Sequence, residues 1–253
     1  MKLRLDKLLV ERGFAPTRER AQAIILAGRV LVDEQKVDKP GHGVPETAAL
    51  RLLGGDLGYV SRGGLKLEAA LRHWHIDLAG RFCLDVGAST GGFTDCMLQH
   101  GAARVLAVDT GYGQIADTLR RDPRVNLMER TNARNLGSGD LPPGINFLAM
   151  DVSFISATLV LPAVVNAIQS ASSPLEMVVL VKPQFEAGRE RVGKGGIVRD
   201  PAAHQLAIDR VRDCVAGIGG TGIEIIDSPI LGTEGNREFL LHAAVNPELR
   251  VPD

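Results

Sequence analysis

Hydrophobic positions along the chain change their period several times, and each change predicts an element. Residues 3–12 (LRLDKLLVER) set Leu5, Leu8 and Leu9 at helical spacing, with Gly13 suited to the C-terminal cap. Thr17 can cap a second helix in which Ala21, Ile24 and Ile25 repeat that spacing up to Gly28. RVLVD (29–33) then alternates apolar and polar, DEQK turns, and a short extended piece runs to Pro40. Helix, helix and hairpin predict a compact module over residues 1–55. Gly54, Gly55, Gly58, Gly63 and Gly64 mark a junction, with a linker over 56–64.

From residue 65 the pattern becomes longer and alternates between strand and helix. LKLEAALRHW reads as a helix. RFCLDVGA (81–88), RVLAVD (104–109), VNLME (125–129), INFLAMDVS (145–153) and MVVLVKP (177–183) read as strands, separated by helices at 92–101, near 114–121 and around 157–170. A helix at 201–217 precedes two extended runs, IEIIDSPI and FLLHAAV, expected to pair as a hairpin at one sheet edge. This alternation predicts an α/β domain over 65–247, a doubly wound, mostly parallel sheet of Rossmann type, behind the small N-terminal α+β module and ahead of a tail at 248–253.

The chain has 253 residues, 45% hydrophobic and 23% charged, which excludes disordered and fibrous classes. Cys83, Cys96 and Cys214 are too few and too widely spaced for a disulfide framework or a zinc site, so no metal is expected. Apolar runs are far shorter than the roughly 20 residues that span a bilayer, and MKLRLDKLLVERG is charged where a signal peptide is apolar. These features predict a cytoplasmic protein without membrane association. The formal charge of -1 hides an asymmetry: residues 1–81 hold 14 Lys and Arg against 10 Asp and Glu, whereas residues 82–253 hold 15 against 20. A basic first module fits a polyanion-binding surface, and also fits an ordinary solvated helix face.

LDVGASTGGFT (84–94) is a strand-to-helix turn whose glycines would let backbone amides approach a ligand at the helix N-terminus. Asp109 ends the next strand, at the separation where an acidic side chain binds ribose hydroxyls. Against G-x-G-x-x-G the matching positions are Gly87, Ser89 and Gly92, so the glycine that admits a pyrophosphate is absent. That favours a nucleoside ligand such as S-adenosylmethionine over a dinucleotide, with Asp85 as an additional carboxylate. Asp151, Lys182 and Glu238 stand at predicted strand ends, and Lys66 begins the helix before the sheet. Two lysines with two carboxylates suit deprotonation of a poor acid such as a ribose hydroxyl; taken singly, Lys66 also reads as a solvated helix residue, Asp151 as a cap, and Lys182 with Glu238 as a surface ion pair. The position after the fourth strand reads Asp151-Val152-Ser153-Phe154, lacking the Pro-Pro-aromatic motif of amino-methylating enzymes, and no cysteine other than Cys83 lies near a strand end for covalent catalysis.

RLDKLLVERGFAPTRERAQAIILAGRVLVD resembles the small RNA-binding domain first described in ribosomal protein S-four. YVSRGGLKLEAAL, CLDVGASTGGFTDCMLQHGA, MDVSFIS, VKPQFEAGRERVGKGGIVRD and GTEGNREFLL resemble the TlyA (haemolysin A) family. The resemblance implies an S-adenosylmethionine-dependent rRNA 2′-O-ribose methyltransferase with an FtsJ-like catalytic domain, acting on cytidine in ribosomal RNA or ribosomal subunits. It implies a tetrad of Lys66, Asp151, Lys182 and Glu238, in which Lys182 takes the 2′-hydroxyl proton, the carboxylates orient the ammonium groups, and Lys66 keeps Lys182 acidic and helps hold the ribose. It also implies a cofactor turn of Asp85, Gly87, Ser89, Thr90, Gly91, Gly92 and Phe93, with Asp109 for the ribose. Arg4, Arg18, Arg20, Arg29 and Arg62 are the expected RNA contacts, and the basic, Gly-rich loop 186–200 either closes over RNA or is a disordered surface loop. The competing classes are a non-catalytic RNA-binding or ribosome-assembly protein, a membrane-active haemolysin and a nicotinamide-dependent dehydrogenase.

Overall fold

A computed structural model describes residues 2–15, 17–53, 58–168, 174–232 and 234–246. The expected tail at 248–253, and Asp56 and Leu57 of the expected linker, lie outside the described residues. The chain forms two compact units, Met1–Arg62 and Gly63–Asp253.

In the first unit, β1 (Lys2–Arg4) leads into α1 (Leu5–Glu11), α2 (Arg18–Leu26), β2 (Val30–Val32), β3 (Gln35–Val37), β4 (Gly43–Pro45) and β5 (Leu50–Leu52). Gly13 takes φ +72° after α1, and the Thr17 hydroxyl accepts from Arg20 N to cap α2. Asp33 and Glu34, both at positive φ, close the β2–β3 hairpin as a two-residue turn of the kind that matches strand twist. Leu5, Leu8, Leu9, Ile24, Ile25 and Val30 form its core. The segment after Pro40, read as loop and linker, contributes two strands instead: β4 pairs with β1, and β5 pairs with β2. Three-residue strands carry too little alternation to be seen in the sequence.

In the second unit, α3 (Gly63–His73) starts two residues before the expected position, so Gly63 and Gly64 are helical rather than linker. Then follow β6 (Phe82–Val86), α4 (Gly92–Gln99), β7 (Arg104–Val108), α5 (Asp117–Arg120), β8 (Val125–Met128), β9 (Phe147–Met150), α6 (Leu161–Ala167), β10 (Leu175–Val181), α7 (Pro183–Glu186), α8 (Pro201–Gly217), β11 (Gly220–Asp227) and β12 (Phe239–Val245). The sheet order is β11-β12-β10-β9-β6-β7-β8. The five strands from β8 to β10 run parallel and β12 runs antiparallel to β10, with β11 outermost. The chain winds outward from β6 through β7 to β8, then returns to the other side of β6 with β9. That reversal opens a crevice at the carboxyl ends of β6 and β9, where such sheets bind ligands. The core is the apolar run Met177–Val181 of β10 with β6, β9 and the inner faces of α6 and α8. Among the described residues no helix is long and apolar enough to cross a membrane.

Candidate functional site

A cavity of about 410 Å³ fills the crevice, within the usual range for small-molecule sites. Gly87, Ser89, Asp109, Asp151, Ser153 and Phe154 are among its lining residues. Gly87 takes φ +85°, and a Cβ there would lie 2.4 Å from the carbonyl oxygen of Asp151, so the glycine lets the β6 turn close against the end of β9. Gly91, at φ +95°, leaves room for Leu119 and Ile115. At both positions the glycine is required first by chain packing, a reason different from the ligand approach expected from sequence. Ser89 takes φ +48°, a left-handed conformation at the position where a dinucleotide fingerprint carries its second glycine.

Asp109 lines the cavity with its carboxylate fixed: Oδ2 accepts from Ser89 N at 2.7 Å and Oδ1 from Gly111 N at 2.6 Å. Each oxygen retains a lone pair for a hydroxyl. Asp85 does not line the cavity. It lies fully buried behind the turn, accepting from the Thr94 hydroxyl at 2.5 Å while Oδ1 has no partner among the described residues. Burial pushes its carboxyl up to about 7 against the opposing Thr94 hydrogen bond. Thr90, Gly91, Gly92 and Phe93 likewise shape the turn and the start of α4 rather than the cavity wall. Thr110, Gln114, Thr131 and Asn132 are lining residues that sequence reasoning missed; they lie in the loops after β7 and β8, and the rule that ligands sit beyond strand carboxyl ends was the available signal.

The four residues expected to form a tetrad make two ion pairs. Lys182 Nζ lies 2.5 Å from Asp151 Oδ1, off the direction of a hydrogen bond, and donates to Ser153 Oγ at 2.8 Å. Lys66 Nζ donates to Glu238 Oε2 at 2.6 Å. Lys66, Lys182 and Glu238 are 8%, 7% and 3% exposed, which removes the solvated-helix reading of Lys66 and the reading of Lys182 with Glu238 as a surface pair. Strand register brings three of these residues side by side. The β10–β12 ladder ends with Val181 opposite Phe239, and the β9–β10 ladder ends with Met150 opposite Val179. Lys182, Glu238 and Asp151 thus follow directly at the same edge of three adjacent strands. Lys66 comes from the first turn of α3, and Gly232 makes room for its partner, since a Cβ there would lie 2.5 Å from Glu238 Oε1.

Loop 186–200 is shaped by a residue sequence reasoning did not single out. Buried Asn236 accepts from Val198 N at 2.9 Å and donates to the Gly196 carbonyl at 2.8 Å, holding the loop to the segment before Glu238. Arg189, Arg191, Lys194 and Arg199 remain exposed on it. Phe154 is also exposed, at 92%, and holds φ +65°, an outlier for a bulky side chain; its ring stands 5.5 Å from that of Phe185. Cys83 is wholly buried with its thiol pushed up to about 12, which removes it as a nucleophile.

In the first unit Arg4 and Arg18 both contact Asp6, and Arg29 Nε donates to the Leu53 carbonyl at 2.7 Å. Arg20 and Arg62 are half-buried.

Comparison with known proteins adds to this geometry. The family model for FtsJ-like methyltransferases matches residues 59–245, and that for the S4 domain matches residues 3–49. The chain is 49% identical over 242 residues to YqxC of Bacillus subtilis, an assigned rRNA methyltransferase, covering 95% of this chain and 85% of the relative. It is 44% identical over 239 residues to the 16S/23S rRNA (cytidine-2′-O)-methyltransferase TlyA of Mycobacterium tuberculosis, covering 94% and 88%. A solved structure from Streptococcus thermophilus, assigned as a hemolysin, superposes with a TM-score of 0.74 at 42% identity, covering 97% of this chain and 89% of that one.

Proposed function

Because the chain belongs to the FtsJ-like methyltransferase family and carries an S4 domain ahead of that unit, we propose that it 2′-O-methylates ribose in ribosomal RNA, at cytidine, with S-adenosylmethionine as methyl donor. The observation that carries this reading is two ion pairs at the strand edge beside the cavity, Lys66 with Glu238, both buried, and buried Lys182 with Asp151, which faces the cavity.

The cavity fits the donor. Gly87 and Ser89 offer a closely packed turn, and the fixed Asp109 carboxylate offers acceptors to ribose hydroxyls. Bound there, S-adenosylmethionine supplies an electrophilic methyl on a sulfonium. The chain's residues handle the acceptor. Lys182, once its ammonium has lost a proton to solvent and Nζ is a free amine, would take the 2′-hydroxyl proton as that oxygen receives the methyl group, and the donor would leave as its neutral thioether. Asp151 and Ser153 fix the Lys182 amine, and Glu238 fixes Lys66, which holds the ribose. Most of the rate gain comes from positioning, with oxygen and methyl held close and in line. Phe154 offers an exposed ring on which the target base, turned out of its stack, can rest. Arg4, Arg18, Arg20, Arg29 and Arg62 supply phosphate contacts that fix position and make binding salt-dependent.

Lys182→Ala tests the assignment. Cofactor and RNA affinities should stay within a few fold of wild type while methyl transfer is lost; wild-type turnover with both ligands bound would remove Lys182 from its role.

A further inference from the structure

Asp6 is the most heavily engaged carboxylate among the described residues of the first unit. Its side chain has no exposure, yet five donors reach it. Arg4 gives Nε at 3.1 Å and Nη2 at 2.8 Å, Arg18 gives Nε at 3.0 Å, Gln22 gives Nε2 at 2.9 Å, and the Lys7 amide gives its N–H at 2.9 Å. Those donors hold its carboxyl well below the ordinary range, so it stays ionised. Arg4 is held by its Nε–Nη2 edge and Arg18 by Nε alone, and their side chains remain 47% and 45% exposed. Arg4 Nη1 and the two terminal nitrogens of Arg18 carry no hydrogen bond to the described residues. Gly41 keeps this space open, because a Cβ there would lie 3.1 Å from Arg4 Nη1.

A surface arginine normally gives up much rotamer freedom when it captures a phosphate. Here two guanidinium groups converge on one buried carboxylate, so their orientation is set before any ligand arrives. A guanidinium does this with fixed geometry: some of its donors bind the carboxylate while the rigid plane aims the others outward. Gln22 comes from the second turn of α2 and Arg18 from its first residue, so Asp6 also fixes Arg18 relative to Arg4 on the preceding element.

We infer that Asp6 is a positioning residue that holds Arg4 and Arg18 as a preformed fork for backbone phosphates of the RNA. This rests on the reading that the first unit binds RNA. The inference makes a prediction of opposite sign to simple charge counting. Removing a carboxylate from a basic face adds one positive charge and should tighten binding to a polyanion. If Asp6 positions the fork, Asp6→Asn should weaken it instead.

The experiment is filter binding of the full-length chain to purified ribosomal RNA over a salt series, at a temperature where thermal unfolding shows each variant to be folded. Asp6→Asn is expected to lose about tenfold in affinity, with the slope of log Kd against log salt shallower by about 1.4 to 1.8, the contribution of two phosphate contacts. Arg18→Lys keeps the charge and an exposed position but loses the rigid planar fork that fixes the direction of the outward donors, so it should fall likewise and keeps the question open to test if Asp6→Asn does not fold. A folded Asp6→Asn that binds as tightly as wild type or tighter, or an Arg18→Lys with unchanged affinity, would overturn the inference. The double variant Arg4→Ala/Arg18→Ala separates the two levels. If it also binds normally, the RNA-binding role of this unit fails; if it alone loses affinity, only the positioning role of Asp6 fails.

Discussion

Replacing Glu238 by Ala strands the Lys66 ammonium at a site where Lys66 is 8% exposed and its sole carboxylate contact among the described residues is the 2.6 Å pair with Glu238. Breaking a buried pair in this way costs about 3 to 5 kcal/mol, because the remaining charge loses its partner without regaining water. For a unit of 150 to 250 residues that is a fall of roughly 6 to 20 °C in the midpoint of unfolding, at about 2 to 4 °C per kcal/mol. Replacing both partners by apolar residues, Lys66→Met with Glu238→Leu, removes the stranded charge, and such swaps are commonly neutral or stabilising. Scanning calorimetry of the full chain, following the transition of the second unit, should show the single variant well below wild type and the double variant near or above it. Methyl transfer should be lost in both. A Glu238→Ala transition within about 1 °C of wild type would refute the burial argument, and a double variant that still transfers methyl would confine the pair to a structural role.

Gly87→Ala should cost about 2 to 5 kcal/mol and most of the cofactor affinity, from a Cβ placed 2.4 Å from the Asp151 carbonyl in a left-handed backbone conformation; calorimetry of donor binding with near-wild-type affinity would contradict this. Phe154→Gly relieves a left-handed Phe and should leave the unfolding midpoint unchanged or raised while lowering turnover on RNA; a clear drop in midpoint would show that the ring contributes packing. Asp85 binds its proton more tightly in the folded chain, about 7 against an ordinary value near 4, so its contribution to stability is full below the unfolded value and is lost as pH rises toward and past 7. The loss is on the order of 4 kcal/mol at about 1.36 kcal/mol per pH unit. Urea titrations from pH 5 to 8 should therefore show wild type weakening with a slope that Asp85→Asn flattens, and parallel slopes would remove this cause.

Elements with internal periodicity and their own stop signals were legible in the chain. Helix α8 has Asp200 as N-cap and Pro201 in its first turn, and it spans 201–217 as read; the apolar run of β10 and the Leu5, Leu8, Leu9 spacing were equally plain. What escaped depends on partners far away in sequence. Strands β1, β4 and β5 exist through pairing across as many as 43 positions, as in Lys2 with Pro45. Asp6 reads as one acid in a basic stretch, and only folding brings Arg18 and Gln22 to it. Asn236 gains its meaning from Gly196 and Val198, and Asp109 from Ser89 and Gly111. Residue type and strand-end position drew attention to Asp151, Lys182 and Glu238, and the family resemblance joined them with Lys66 as a candidate tetrad, while its division into two pairs, Lys66 with Glu238 and Lys182 with Asp151, came from the register of β9, β10 and β12 and the placement of α3.

The central claim is methyl transfer to a ribose oxygen of ribosomal RNA. Ribosomal subunits from a strain lacking this protein, incubated with the purified chain and S-adenosylmethionine labelled in its methyl group, give RNA that can be hydrolysed in alkali. A 2′-O-methyl group blocks cleavage at the next phosphate, so the account predicts label in an alkali-resistant dinucleotide with cytidine as its 5′ member, and none with Lys182→Ala. Label released in mononucleotides would mean methylation of a base and would contradict the account.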